Sequence, residues 1–439
     1  MVAPKGLLMI TRTLSDFVAN ASWGQIPDET ARMLQLSVLD WAACGIAGAE
    51  EPVARVTRDL VLSEGGHAQA QLFGGGRAPA RAAALVNGAT SHALDYDDTH
   101  FAHIGHPSVA VLPAVLAVAE VESLDGRAVQ LAALVGVEAS IRVGVWLGRD
   151  HYQTGFHQTG TAGAFGAAAG VARLLGFDRD QVAATLGLVA TRASGLKSQF
   201  GTMGKPYNAG IAAANGVEAA LLVQRGFVPN PDGLEGAQGF GPTHVGQGQK
   251  HVLEGLGEKW LFDSISHKFH ACCHGLHATL EALASLNRPA ADDIERIEIR
   301  THPRWMSVCN QPSPSTGLGA KFSYRMVTAM ALTGHSTAAM GSYTDALCAE
   351  PEIVALREKV AARADDSLSE TEAHVSLTLK DGATMVAHHD LDAPIALEDR
   401  EARLQTKAVA LIGAKKASQI LSLVTSQASP RDFAEALAP

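Results

Sequence analysis

The sequence predicts a mainly α protein, with a large all-helical domain followed by a smaller α+β domain. Three observations lead there. From Leu14 to about Gly226, apolar residues recur at three- and four-residue spacing, the period of a helix face. Alternating runs suited to strands begin only near residue 294. Between these textures, residues 227–257 are rich in Gly, Pro and Gln and read as an irregular connection. A chain of 439 residues, 47% hydrophobic and 18% charged, has the apolar mass for a sizeable core, which excludes wholesale disorder.

The elements follow in order. "TARMLQLSVLDWAACGIAG" carries an apolar helical face and ends on Gly48. "APARAAALVNGATSHALDYDD", "HPSVAVLPAVLAVAEVE" and "GRAVQLAALVGVEASIRVGVWLG" read the same way. "HQTGTAGAFGAAAGVARLLG" spaces Gly160, Gly163 and Gly166 three apart with Gly170 one turn on, a small face that lets another backbone come close. "NAGIAAANGVEAALLVQRG" is a further small-residue helix. This half shows no strong strand signal and no repeat. Beyond the connection, "IERIEIRTHP" (294–303) alternates as a strand, and "EAHVSLTLKDGATMVAHHDL" forms a hairpin about Asp381-Gly382. "CHGLHATLEALASL", "KFSYRMVTAMALTG" and "EIVALREKVAARA" are expected to be helical, as is the stretch from Asp399 to Leu437. The domains expected are 1–264 (helical), 265–395 (α+β) and 396–439 (helices returning to the first domain). The cleft between domains is the default ligand site.

Composition narrows the function. A net charge of -10 without a Lys/Arg stripe argues against a nucleic-acid partner. Five cysteines make no disulfide framework and suggest a reducing compartment. The apolar N-terminal stretch is interrupted by Arg12 and Asp16, so neither a signal peptide nor a membrane span is expected. The expectation is a soluble cytoplasmic protein with no membrane association. No phosphate-binding P-loop, dinucleotide fingerprint or G-x-S-x-G elbow is present.

Four stretches can carry chemistry. "DYDDTHFAHIGHPS" (95–108) gathers Asp95, Asp97, Asp98, Thr99, His100, His103 and His106, and Pro107 makes it a loop between helices. Asp95, Asp98 or His106 can supply a base and Thr99 a hydroxyl. Metal binding and a solvated helix end are the alternatives. "SHKFHACCHGLH" (266–277) puts His270, His274 and His277 on one face if helical, beside Cys272 and Cys273. That tempts a zinc reading, but there is no separate C-x-x-C partner. Lys205 lies between Gly204 and Pro206 in a loop leading into a helix, as a surface lysine or a cation for a carboxylate. His157 opens the glycine-rich helix, whose positive end favours neutral imidazole.

Taken in order, "NGATSHALDYDDTHFAHIGHPS", "GFHQTGTAGAFGAAA", "FGTMGKPYNAGIAAANG", "HKFHACCHGLHA" and "AKFSYRMVTAMAL" resemble the MmgE/PrpD family over essentially the whole chain. That family includes 2-methylcitrate dehydratase, cis-aconitate decarboxylase and iminodisuccinate epimerase. The resemblance implies a large all-helical domain, an α+β lid domain and a homodimer. It also implies a small di- or tricarboxylate substrate and neither metal nor organic cofactor. By motif position it implies catalytic roles for Asp95, His106, His157 and Lys205. Substrate contacts would come from Thr99, Lys268 and Cys272, with His103 a contact particular to this chain. Met326 stands where decarboxylase-like members have tyrosine. The function expected is a cofactor-independent lyase of the 2-methylcitrate dehydratase type. An iminodisuccinate-type epimerase, a cis-aconitate-type decarboxylase and a non-catalytic carboxylate-binding protein are the alternatives. In the expected chemistry Asp95 or His106 takes a proton from carbon next to a carboxylate and His157 acts as acid. Lys205, with Lys268, offsets the charge.

Overall fold

A computed structural model describes residues 10–438; the apolar N-terminal residues before Ile10 lie outside it. The chain divides into two compact units. The first runs to His267 and resumes at Leu404, and the second is Lys268–Arg403.

In the first unit, among the described residues, the long helices up to residue 224 are α1 (Ile10–Asn20), α2 (Asp28–Gly48), α3 (Pro52–Glu64), α4 (Ala80–Ser91), α5 (Ser108–Glu122), α6 (Gly126–Thr154), α7 (Gln158–Leu174), α8 (Arg179–Val189) and α9 (Gly204–Gln224). Their ends follow from local chemistry. Asp28 and Glu29 sit in the first turn of α2, facing the positive end of the helix dipole. Pro52 opens α3, where its missing N–H costs nothing. The Asp125 carboxylate caps α6 by accepting from the Ala128 N–H, and Asp178 with Gln181 forms a capping box on α8. A short antiparallel pair, β1 (Ala70–Gln71) with β2 (Arg77–Ala78), was not foreseen; two-residue strands leave no period to read.

Helix α7 is the centre of the core, lying against α5, α6, α8 and α9. Its glycine face is used as the spacing predicts. A Cβ on Gly166 would stand 2.4 Å from the Ser140 Cβ and 2.7 Å from the Gly136 carbonyl oxygen on α6. Helix α6 is long and apolar enough to cross a membrane by composition, but 83% of its apolar window is buried within the protein, as in a core helix.

The irregular connection is fastened by a charged pair inside α6. Glu138 and Arg142 are both buried, one turn apart. Glu138 accepts the N–H groups of Leu261 and Phe262 at 3.0 and 2.9 Å. Arg142 donates to the carbonyls of Val252, Glu254 and Lys259. A segment whose only regular pieces here are the single 3-10 turns Lys250–Leu253 and Leu261–Ser264 thus satisfies much of its backbone through two side chains. From Leu404 onward, the remainder of Leu397–Ile412 and the helices Ala414–Thr425 and Pro430–Glu435 belong to this unit.

The second unit carries a four-stranded sheet in the order β4-β3-β5-β6, formed by β3 (Ile294–Thr301), β4 (Val360–Ala364), β5 (Glu372–Leu379) and β6 (Thr384–Asp390). β5 and β6 are the expected hairpin about Asp381-Gly382. "EIVALREKVAARA" is only half helical: the helix stops at Arg357 and Val360–Ala364 pairs in parallel with β3, Ile297 opposite Val360. Ala-rich sequence favours a helix locally, but an open sheet edge offers backbone partners that override it. Helices His277–Ala284 and Tyr324–Thr333 complete the unit.

Candidate functional site

The first unit gathers a hydrogen-bonded network around the segment between α4 and α5. His92 caps the C-terminus of α4. Asp95 follows with φ +52°, a left-handed conformation that costs a non-glycine residue energy and so marks a constrained site. Asp97 is fully buried and bridges two imidazoles. His92 Nδ1 lies 2.9 and 3.1 Å from its two oxygens, and His106 Nδ1 lies 2.8 Å from Oδ2. Burial pushes the Asp97 carboxyl up, but its attraction to and hydrogen bonds with His92 and His106 outweigh burial and hold it well below the usual range.

An ionised carboxylate only accepts, so each imidazole presents Nδ1–H to Asp97 and leaves Nε2 with a lone pair. His106 Nε2 stands 3.4 Å from Asp95 Oδ1, which Lys205 Nζ approaches at 2.7 Å. Burial lowers His106 to about 4, so its ring is uncharged at neutral pH. Its main-chain N–H is fixed by Thr159 Oγ1 on α7 at 3.0 Å. His92 Nε2 is buried and has no hydrogen-bond partner among the described residues.

His157 is the N-cap residue of α7. Asn208 Nδ2, which also donates to the Leu196 carbonyl at 3.4 Å, lies 3.1 Å from His157 Nδ1. Nδ1 is therefore an acceptor, and the neutral ring carries its proton on Nε2. Burial and the charge of Lys205 push His157 well below the usual histidine range. The His92 ring lies 4.4 Å from that of His106 and 6.1 Å from that of His157. Phe200 stands edge-on to His157 at 4.9 Å, with Lys205 Nζ 5.7 Å from its ring. Lys205 lies not in a loop but in the first turn of α9.

Asp95, His106, His157 and Lys205 thus come together within the first unit. Thr99 pairs with Ser266 through both backbones, and its hydroxyl reaches the Ser266 carbonyl at 3.3 Å. His103 is completely buried; a Cβ on Gly144 of α6 would stand 2.0 Å from its Nδ1 and one on Gly105 of the loop 2.9 Å from its Nε2, so these two glycines seat it in the core. His100 reaches the Leu261 carbonyl at 3.0 Å through Nε2 and accepts the His103 N–H at 3.2 Å. Asp98 is buried and engaged with the start of α5: burial raises its carboxyl well above the usual range, and it accepts from the Ser108 N–H and hydroxyl. Lys268 and Cys272 are buried in the second unit, where burial pushes the Cys272 thiol up to about 12. Residues 267–273 are not helical; the helix begins at His277, and His270 is held by Thr337 and Glu281 at 2.7 and 3.2 Å.

His92, Asp97, Asn208 and Thr159 were missed as functional candidates. The cue for the first two was present: His92 and His106 flank Asp97 within one loop. Asn208 and Thr159 sit in small-residue helices that read as core.

His92, Asp95, Asp97 and His106 offer ligand atoms within 4.8 Å of one another, close enough for a metal ion. Their chemistry fits one poorly. Asp97 already accepts from both rings, and the Lys205 ammonium occupies the cation position on Asp95. A divalent ion would have to displace both.

Residues 12–252 match the MmgE/PrpD N-terminal domain and residues 270–426 the MmgE/PrpD C-terminal domain. Among curated relatives, a cis-aconitate decarboxylase-like protein from Aspergillus oryzae is 30% identical over 301 residues, covering 64% of this chain and 62% of the relative. Human cis-aconitate decarboxylase is 26% identical over 445 residues, 95% and 92% of the two chains. The mitochondrial 2-methylcitrate dehydratase of Yarrowia lipolytica is 28% identical over 347 residues, 70% and 64%.

Proposed function

The chain belongs to the MmgE/PrpD family, and on that premise we propose that it is a lyase acting on a small di- or tricarboxylate by proton transfer next to a carboxylate. The observation that carries this reading is the uncharged, buried His106, oriented by Asp97 with its Nε2 beside the Asp95–Lys205 pair. A neutral imidazole facing a fixed cation is suited to take a proton while the cation offsets carbanion charge.

For dehydration of a 2-methylcitrate-type hydroxy acid, His106 Nε2 takes the proton from carbon. The C–H pair becomes the double bond, and the hydroxyl leaves as water. A proton must go with it. His157 is neutral with Nε2–H, so it can polarise the leaving oxygen by a hydrogen bond, but giving up that proton would leave imidazolate. Lys205 ammonium is the better proton source. His157 therefore serves as hydrogen-bond donor rather than as the acid expected from sequence.

Decarboxylation of cis-aconitate is the second reading, favoured by the name of the relative matched over 92% of its length. There the bond to a carboxylate breaks, CO2 leaves and the carbon takes a proton. The buried Tyr324 is not available to that step: its hydroxyl donates to the Gly275 carbonyl at 2.7 Å. Incubation with 2-methylcitrate, citrate, cis-aconitate and itaconate in deuterated water, followed by mass spectrometry, tests both. Dehydration gives an unsaturated acid without CO2. Absence of turnover and of deuterium uptake with every acid would overturn the lyase reading.

A further inference from the structure

We propose that His92 is a positioning residue of this site: it shares the buried Asp97 carboxylate with His106, and that division sets how firmly a proton is held on His106. The proposal rests on the proton-transfer reading for its meaning in catalysis, but not for its test.

Asp97 has two oxygens and two imidazole donors, at 2.8 to 3.1 Å. A carboxylate serving one imidazole spends its whole charge stabilising that ring's cation. A second N–H donor withdraws part of that charge, so the first imidazolium is held less tightly. His92 is placed to do this permanently. It ends α4, is 1% exposed, and its ring centroid lies 4.4 Å from that of His106, the two planes tilted by 60°.

The surroundings leave Asp97 as the only carboxylate that His92 engages by a direct hydrogen bond. From the loop, Asp95 is committed to Lys205, and Asp98 is raised by burial and held by Ser108. From α7 comes the neutral His157, and from α9 the Lys205 ammonium. Behind Asp97, Asp40 of α2 is paired with Lys407 at 2.6 Å, with the buried Cys44 thiol beside them. None of these replaces His92 as the second donor to Asp97. With Nδ1 given to Asp97, the buried Nε2 of His92 is left as an acceptor without a partner among the described residues.

Titration of histidine-labelled protein by NMR tests this without substrate. Asparagine places an amide N–H where Nδ1 stands, so His92→Asn keeps the second donor. His92→Gln and His92→Phe remove it. The His106 midpoint is expected to rise by about one pH unit in His92→Gln and His92→Phe and to stay in place in His92→Asn. The acid limb of kcat/KM should follow. If His92→Phe fails to fold, His92→Gln carries the comparison. An unmoved His106 midpoint in the variants lacking the donor, or an equal shift in His92→Asn, would overturn the proposal. Lack of turnover in the unsubstituted protein would overturn only the lyase reading.

Discussion

Lys407 Nζ donates to the main-chain carbonyl of Tyr96 at 2.5 Å, joining residues 311 apart in sequence at the heart of the site loop. The same ammonium pairs with Asp40 at 2.6 Å and lies 3.9 Å from the Tyr96 ring. Burial pulls this ammonium down, but Asp40 outweighs burial and keeps it charged. The helix Leu397–Ile412 thereby fixes the backbone between the strained Asp95 and the bridging Asp97. Lys407→Met strands a buried carboxylate and should cost on the order of 3–5 kcal/mol of stability. Adding Asp40→Asn should restore much of the melting temperature while turnover stays low, because Tyr96 still lacks its donor. Full recovery of activity in the double variant would show that Lys407 acts on stability alone.

Lys205 differs, since its pair with Asp95 is partly solvent-exposed, with side chains 17% and 35% exposed. Such pairs contribute about 1 kcal/mol or less to folding. Lys205→Ala should therefore leave the melting temperature nearly unchanged while kcat falls roughly 100-fold or more, the scale for losing a charge-stabilising donor. Intact activity with a large loss of melting temperature would remove Lys205 from the site.

How far the sequence could be read depended on how local the determining interaction is. The α7 glycines, the Asp381-Gly382 turn and the loop before Pro107 declare themselves within a few residues. Val360–Ala364 did not, because its strand is made by pairing with Ile297–Thr301. In the site, motif positions shared with the MmgE/PrpD family picked out Asp95, His106, His157 and Lys205, where residue type alone left Lys205 a surface lysine and His157 a core histidine. Residue types could not rank Asp95, Asp97 and Asp98, adjacent or nearly so. Backbone direction separates these three: one meets Lys205, one bridges two imidazoles and one caps α5. His103 was overvalued for the same reason, since burial against Gly144 is invisible in composition.

The buried histidines make stability depend on pH. Burial lowers His100, His106 and His151 to about 4 and His103 to about 3. In the unfolded chain each titrates near 6.5. Below that pH the unfolded state binds protons that the folded state refuses, so stability falls with acidification until the folded rings titrate. Each ring contributes up to about 1.4 kcal/mol per pH unit over this window. Calorimetry from pH 7.5 to 5 should show a steep drop in melting temperature, less steep in His103→Phe if the larger ring is accommodated. A flat profile would mean that these rings are solvated in the folded protein.

The cation position on Asp95 gives a last test. With Lys205 Nζ at 2.7 Å and Asp97 already accepting from two rings, a divalent ion must compete with the ammonium for Asp95 and with two N–H donors for Asp97. Dialysis against a strong chelator should leave turnover unchanged. Added zinc should inhibit, since imidazole Nε2 and carboxylate are good ligands and binding would remove the base. Inhibition should strengthen in Lys205→Ala, measured as tighter zinc binding by calorimetry, because the competing cation is gone. Loss of activity on chelation, restored by zinc, would instead make His92, Asp95, Asp97 and His106 a metal centre.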